Sequence, residues 1–149
     1  MMKRAERAGD PWSGHIALPG GNYQAEDHNL LTTAIRETSE ELGIGLARDQ
    51  LLGNLTPLSP HAAGPSPVEV TPFVFRTAIA PEPICGPEAL VAFWLPLELA
   101  RSGSLDATYC YPVSAGAPLT FPSWNYGGHA IWGLTLRILS DLLAVANQR

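Results

Sequence analysis

Three glutamates, Glu37, Glu40 and Glu41, follow Arg36 within little more than one helical turn. Their segment has helical period and ends at Gly43, a residue type favoured just past helix C-termini. At about 100° per residue the three carboxylates fall on one side of the helix. Like charges at this spacing repel one another, and carboxylates near a helix C-terminus oppose the helix dipole. Two interpretations stay open: a solvated polar face, or a site where Mg²⁺ or Mn²⁺, which prefer oxygen ligands, offsets the repulsion.

A helix can present these acids only if its other side packs on a core and its start is fixed. The nearly opposite side carries the residues expected to face the core, namely Leu31, Ile35, Thr38 and Leu42. Asp27 or Asn29 can cap the N-terminus, and for Asp27 we expect capping rather than metal binding. Upstream, Pro19 directs the chain into a turn at Gly20 and Gly21, whose missing Cβ lets the backbone approach a ligand. An ordinary turn is the alternative.

Residues 36–44 resemble the core of the Nudix box, Arg-Glu-U-x-Glu-Glu-x-Gly-U, in which U is an aliphatic residue. Gly21 matches the opening glycine of that box. The chain departs from it in two side chains, since Thr38 stands at the first aliphatic position and Asp27 at the position of an earlier acid. The interval from Asp27 to Arg36 is also one residue longer than in the commonest form. The chain is therefore similar to Nudix hydrolases.

This resemblance implies a catalytic site and its metal. In Nudix hydrolases Mg²⁺ or Mn²⁺ is held by glutamates at the positions of Glu37, Glu40 and Glu41, and a carbonyl at the position of Gly20 reaches a metal. Arg36 matches a residue that pairs with the box carboxylates and orients them, a supporting role on which metal sites depend. The general base implied by the resemblance stays open among three acids, Glu37, Glu69 and Glu88.

The substrate branch is suggested by residues 14–21, Gly-His-Ile-Ala-Leu-Pro-Gly-Gly. They are similar to the Gly-x-x-x-Phe-Pro-Gly-Gly of coenzyme A pyrophosphatases, with Leu18 in place of the phenylalanine. Residues 70–74, Val-Thr-Pro-Phe-Val, and residues 131–135, Ile-Trp-Gly-Leu-Thr, are similar to later stretches of the same branch. The chain departs from that branch at Asp10, which stands where the branch has an arginine.

Other residues have two interpretations each. His61, in a Pro- and Gly-rich loop over 57–67, could contact a phosphate or be merely exposed. Trp124 and Tyr126 could stack on a substrate base, although large aromatic side chains beside a helix start are also common in packing.

The remaining elements follow from periodicity and turn residues. We predict strands over 15–18, 50–56, 68–76 and 88–97, a short helix over 96–100, a hairpin of 109–113 with 118–121, and a helix over 128–146. With the resemblance, they imply an α/β Nudix fold, a mixed β-sheet sandwiched between helices (α/β/α). We expect a single domain over residues 1–149, lacking part of its N-terminal strand.

Composition limits the class of protein. A chain of 149 residues with 46% hydrophobic content predicts one domain with a core. A net charge of −5 argues against a general nucleic-acid surface, and no apolar run approaches the roughly 20 residues of a membrane span. No leader is evident, so we expect the cytoplasm, with Cys85 and Cys110 as reduced thiols. An incomplete first strand over 1–7 would expose a sheet edge, which predicts a homodimer or a locally disordered start.

The expected function is a metal-dependent pyrophosphohydrolase that cleaves a nucleoside diphosphate linked to another moiety, with coenzyme A or a derivative favoured. The expected partner is a nucleotide-type small molecule, and neither nucleic acid nor membrane. Two alternatives remain: a non-catalytic Nudix-like module that binds a ligand or regulates, and a dead fragment caused by the incomplete start. The intact glutamates argue against the module, because binding alone tolerates their loss.

Overall fold

A computed structural model describes residues 1–10, 12–60, 68–113 and 116–147. His61 and most of the loop predicted over 57–67 lie outside these residues. Within them, helices and strands are interspersed along the chain, which confirms the predicted α/β class. The elements in chain order are β1 (Met2–Arg4), β2 (Ile16–Ala17), α1 (Leu30–Leu42), a 3₁₀ turn (Arg48–Gln50), β3 (Leu51–Asn54), β4 (Phe73–Phe75), β5 (Ala89–Ala92), α2 (Leu97–Arg101), β6 (Asp106–Tyr111), β7 (Leu119–Tyr126), β8 (His129–Trp132) and α3 (Gly133–Ala146).

The described chain divides into two compact units. The first unit comprises Met1, Lys3–Leu18 and the chain from Phe93 onward, and the second comprises Met2 and Pro19–Ala92. The single domain over 1–149 stays a prediction, as does the homodimer. None of the helices in the described ranges is long and apolar enough to cross a bilayer. Cys85 and Cys110 are free and exposed.

The first unit contains the antiparallel sheet β6-β7-β8. The predicted hairpin is confirmed and is longer than expected, since β6 pairs with β7 from Asp106 opposite Trp124 to Tyr111 opposite Leu119. The helix predicted over 128–146 is wrong at its start, because His129–Trp132 pair with β7 as a strand and α3 begins only at Gly133. The turn between these strands uses Gly127 and Gly128, whose φ angles of 59° and 82° favour glycine.

The core of the first unit includes one of the two aromatic residues with open roles, and the other packs against it. Its buried apolar side chains are Ile16, Ala100, Leu105, Trp124, Ile131, Leu139 and Leu143. Trp124 is one of them and Tyr126 packs against the group, so both rings contribute to packing, as the second interpretation predicted. In the same unit the N–H of Arg4 in β1 donates to the carbonyl of His15, next to β2, over 3.0 Å.

The second unit carries α1 and shorter strands than predicted. The strand expected over 68–76 is limited to β4, because Val70 forms only an isolated bridge with Leu58 and Pro72 has no N–H to donate. The strand expected over 50–56 begins one residue late, after the 3₁₀ turn, and that expected over 88–97 ends at Ala92. A small core of Met2, Leu42, Ile44 and Ala89 lies under the C-terminus of α1 and β5.

Candidate functional site

Helix α1 positions the three glutamates, and local residues set both of its ends. The Asn29 side chain accepts the N–H of Thr32 over 3.0 Å and caps the start. Of the two predicted caps, Asn29 is therefore confirmed and Asp27 is wrong. Gly43 ends the helix with φ 63°, as its type predicts. The Thr38 hydroxyl, at the usually aliphatic position, donates to the carbonyl of Ala34 over 2.7 Å. Its polar group is therefore satisfied although the residue is buried.

Asp27 is a buried acid that holds Arg36. Its exposed fraction is 2%, and its two carboxylate oxygens accept from Nε and Nη2 of Arg36 over 3.0 and 2.9 Å. The Thr33 hydroxyl and the Gln24 N–H donate to the same carboxylate. These hydrogen bonds, above all those from Arg36, hold the pKa of Asp27 well below its ordinary value, and the bond to Asp27 raises the pKa of Arg36. The guanidinium is thus anchored at one end.

The other end of Arg36 contacts two of the glutamates. Its Nη1 donates to Glu37 Oε1 over 2.7 Å and to Glu40 Oε2 over 3.0 Å. These hydrogen bonds use one oxygen of each glutamate. Glu40 is largely exposed, whereas the Glu37 side chain is mostly buried. One guanidinium therefore bridges a buried aspartate and two helix carboxylates. The contacts with the two glutamates are those that the resemblance implied for Arg36, whereas the contact with Asp27 was not predicted.

Glu41 has a different environment from the other two glutamates. The sequence groups it with an acid face, but the structure buries it at 3% exposure, and its Oε2 accepts the N–H of Gly20 over 2.9 Å. Its neighbour Leu42 lies in the core, and one residue turns a helix by only about 100°. Glu41 therefore lies at the edge of the buried face, where the Gly20 turn covers it.

Gly21 lies close to the carboxylate of Glu37. A Cβ built on Gly21 would lie 2.5 Å from both Cδ and Oε1 of Glu37, which is closer than carbon and oxygen atoms approach without displacement. The turn thus meets the helix at two residues. The N–H of Gly20 donates to Glu41, and the backbone of Gly21 lies against the Glu37 carboxylate. Both contacts are made within the chain, so the approach of this turn to a ligand stays a prediction.

A second segment, not predicted from the sequence, holds the C-terminal turn of α1. The N–H of Ile84 donates to the Leu42 carbonyl over 2.7 Å, and the N–H of Gly86 donates to the Glu41 carbonyl over 2.8 Å. These carbonyls would otherwise lack partners at a helix end. A Cβ on Gly86 would overlap the Glu40 carbonyl oxygen. A glycine within a proline-rich stretch, between Pro83 and Pro87, was the only signal in the sequence.

We expect Gly86→Ala to destabilise the protein by about 1–3 kcal/mol, the usual cost of overpacking. The added methyl group must push residues 84–86 away from the Glu40 carbonyl and weaken both hydrogen bonds to the helix end. Urea unfolding measures the change, with Gly45→Ala as control, because a Cβ at Gly45 meets no atom within 4 Å. Equal stability of the two variants would contradict this account of Gly86.

The stability of the protein should depend on Asp27 at acid pH. Because the pKa of Asp27 is lower in the folded than in the unfolded chain, its contribution is full above the ordinary carboxyl pKa of about 4 and is lost as the pH falls below it. We expect Asp27→Asn to make the free energy of unfolding less dependent on pH below about pH 4. Urea titrations at several acid pH values check this, with the exposed Asp49→Asn as control. Parallel pH profiles for wild type and Asp27→Asn would disprove it.

The chemistry of the glutamate cluster, defined as Glu37, Glu40 and Glu41, suits a hard divalent cation. Asp27, Glu37 and Glu40 place three carboxylates against the one guanidinium of Arg36, so negative charge is in excess around it. As placed, no three His, Cys, Asp or Glu side chains of the described residues converge closely enough to hold a metal ion. A cation would therefore compete with Arg36 for the oxygens of Glu37 and Glu40. The donor set fits Mg²⁺ or Mn²⁺, and the assignment of these three ligands stays a prediction.

The two other acids predicted as candidates for the general base are exposed to solvent. Glu69 and Glu88 are both exposed, Glu69 shortly before β4 and Glu88 directly before β5. The structure brings Gly20 to Glu41, and it brings Arg36 to Glu37 and Glu40. It does not decide which acid is the general base.

Comparison with known proteins places the chain among relatives of one kind. Residues 1–110 match the NUDIX domain. A protein of Yersinia enterocolitica serotype O:8 / biotype 1B, named uncharacterized Nudix hydrolase NudL, is 32% identical over 139 residues, which are 91% of this chain and 67% of that protein. Proteins of the same name from Yersinia pestis (strain Pestoides F) and Yersinia pseudotuberculosis serotype O:1b are 31% identical over 132 residues, 87% of this chain and 63% of theirs. The chain thus spans about two thirds of the length of these curated relatives.

Proposed function

Because the chain belongs to the Nudix hydrolase family, we propose that it is a metal-dependent pyrophosphohydrolase acting on a nucleoside diphosphate linked to another moiety. One observation carries the proposal: Arg36, anchored on buried Asp27, contacts two glutamates of the cluster. A solvated acid face would not need a buried aspartate, Asp27, to hold Arg36. It would also not need a glycine, Gly21, packed against the Glu37 carboxylate. The excess of carboxylates over guanidinium favours a divalent cation at this place.

In the proposed reaction the residues of the chain bind the metal ion and orient its carboxylate ligands. The carboxylates of the glutamate cluster and the Gly20 carbonyl would hold Mg²⁺ or Mn²⁺, and Arg36 would keep two of these carboxylates in place. The bound cation would neutralise the diphosphate oxygens and lower the pKa of a water molecule. A carboxylate from Glu37, Glu69 or Glu88 would accept the proton of the attacking water.

For the substrate we propose coenzyme A or a related derivative. The support is the similarity of residues 14–21, 70–74 and 131–135 to the coenzyme A pyrophosphatase branch. One contact weakens it: Asp10, at a position where that branch has an arginine, pairs with Arg4 over 2.8 Å and lowers the positive charge available to a phosphate. The proposal therefore needs a comparison of substrates.

The alternative is a Nudix-like module that binds a nucleotide without cleaving it. It is favoured by the fact that Arg36 already occupies one oxygen each of Glu37 and Glu40, so that the described acids are not gathered for a metal as placed. In that case the ion pairs would serve to hold the fold of α1.

A turnover screen tests the proposal. The full chain is incubated with Mg²⁺ or Mn²⁺ and coenzyme A, ADP-ribose, dinucleoside polyphosphates or nucleoside triphosphates, and the phosphorylated products are separated. We expect cleavage of coenzyme A at the diphosphate, only with metal present. Cleavage of another member of the set keeps the pyrophosphohydrolase and corrects its substrate. Tight binding of one of them without any cleavage favours the module instead.

A further inference from the structure

A cavity of about 150 Å³ lies within the unit that contains β6, β7 and β8, and the proposed reaction does not use it. Its walls come from β1, residues 14–16, β6 and residues 128–132. A water molecule occupies about 30 Å³ of liquid, and pockets for drug-sized ligands have about 300–1,000 Å³. The cavity therefore suits one small chemical group rather than a whole cofactor.

The side chains that line this cavity are rich in hydrogen-bond donors. Five of them can donate, namely Lys3, His15, Tyr109, His129 and Trp132. None of the five has a side-chain hydrogen bond or ion pair to the part of the chain that the structure describes, and no carboxylate is among the lining residues. In a chain with a net charge of −5, such a set of unused donors around a cavity is the complement of an oxyanion.

Ring packing holds four of these five donors in place, all except Lys3. Trp132 stacks on Tyr109 with ring centroids 4.6 Å apart, and His15 meets Trp132 edge to face at 5.2 Å. His129 stacks on Phe93 at 5.1 Å. Burial lowers the pKa of His15, so its ring is uncharged near neutral pH and still offers one N–H. Donors fixed before binding lose little conformational entropy when a ligand arrives.

Two carboxylates lie nearby, those of Glu6 and Asp10, and Asp10 forms an ion pair with Arg4. Oε1 of Glu6 and Cε of Lys3 are each 3.8 Å from the position of a Cβ on Gly14, which lines the cavity. Glu6 is exposed and forms no ion pair with Lys3, although both residues are described. The ammonium group of Lys3 is therefore not neutralised by an ion pair.

We propose that this cavity binds a phosphate group, either inorganic phosphate or the phosphate of a monoester. Lys3 supplies the charge, and His15 and His129 supply hydrogen bonds from the two histidine-bearing walls. The site stands apart from the proposed hydrolysis, because it uses none of the glutamate cluster and needs no divalent cation.

Titration of the full chain with inorganic phosphate, without divalent cations and at constant ionic strength, tests this site by the NMR signals of the imidazoles. We expect saturable shifts of His15 and His129, whereas the exposed His28 stays unchanged and serves as internal reference. Lys3→Gln should weaken the affinity about tenfold, since it removes a charged hydrogen bond, while Lys3→Arg keeps it. Arg137→Gln, which removes a charge that does not line this cavity, should have no effect. Shifts of His28 in parallel, or unchanged affinity in Lys3→Gln, would overturn the proposal.

The source of the phosphate is decided by two further ligands, AMP and adenosine. Tighter binding of AMP than of phosphate, with adenosine inert, assigns the site to a nucleotide monoester, and equal binding of phosphate and AMP assigns it to free phosphate. Adenosine binding as tightly as AMP would refute phosphate recognition. The same titrations with Glu41→Gln should be unchanged, so that failure of the hydrolase proposal and failure of this one are distinguishable.

Discussion

Replacing Glu41 by glutamine is expected to lower metal-dependent turnover at least about a hundredfold. Loss of groups that only support a metal ligand already costs about 10–100-fold, and Glu41 is proposed as a ligand itself. The fold should persist, because the amide oxygen of glutamine can still accept the N–H of Gly20. We expect the free energy of unfolding to change by no more than about 1 kcal/mol.

Two measurements make this result specific. Calorimetric titration with Mn²⁺ should show weaker binding in Glu41→Gln, and circular dichroism should show an unchanged fold. Glu82→Gln removes an exposed carboxylate of the same unit that lies outside the cluster, and it should leave turnover and Mn²⁺ affinity unaltered. If Glu41→Gln still hydrolyses its substrate at the wild-type rate, the glutamate cluster is not the metal site.

The second large effect is expected at Gly21. An added methyl group in Gly21→Ala would lie 2.5 Å from the Glu37 carboxylate, so that carboxylate must shift, and we expect the shift to disturb its contact with Arg36. We expect turnover to fall about 10–100-fold, the range seen when the orientation of metal ligands is disturbed. The variant should remain folded, because Gly21 does not have a positive φ and alanine can adopt its backbone conformation.

Gly45 provides the matched control for this variant. It lies in the same unit, it also lacks a positive φ, and a Cβ there would meet nothing within 4 Å. Gly45→Ala should therefore keep full turnover and gain up to about 1 kcal/mol of stability, because alanine restricts the unfolded chain. Equal activity of the two alanine variants would show that Glu37 needs no space at Gly21.

The sequence predicted α1 well because its signals are local. The apolar period, the Asn29 cap and Gly43 lie within the helix or directly beside it, and each can be recognised without knowing the rest of the fold. The pairing of Arg36 with the glutamates came from the resemblance instead. Periodicity alone places Arg36 near the acids and cannot tell an ion pair from a solvated charge.

Other features depended on contacts between distant residues. Glu41 is buried and accepts the N–H of Gly20, which lies far from it in the sequence. Asp27 is a buried anchor rather than a cap, because Arg36 in α1 hydrogen-bonds back to it. Strand β8 was missed because a segment of four residues fits a strand and a helix start equally well. Its pairing with β7 determines that it is a strand. Such choices are made by tertiary packing.

The hydrogen bonds from residues 84–86 to the end of α1 have a consequence for folding. Isolated helices of about 12–15 residues are marginal in water, and the last carbonyls of α1 receive hydrogen bonds from Ile84 and Gly86, far along the chain. The turn that bears Glu40 and Glu41 should therefore become ordered only after this distant segment has docked. A protease cut between β4 and β5 would therefore disorder that turn. The glutamate cluster would lose its proposed function, although every glutamate would still be present.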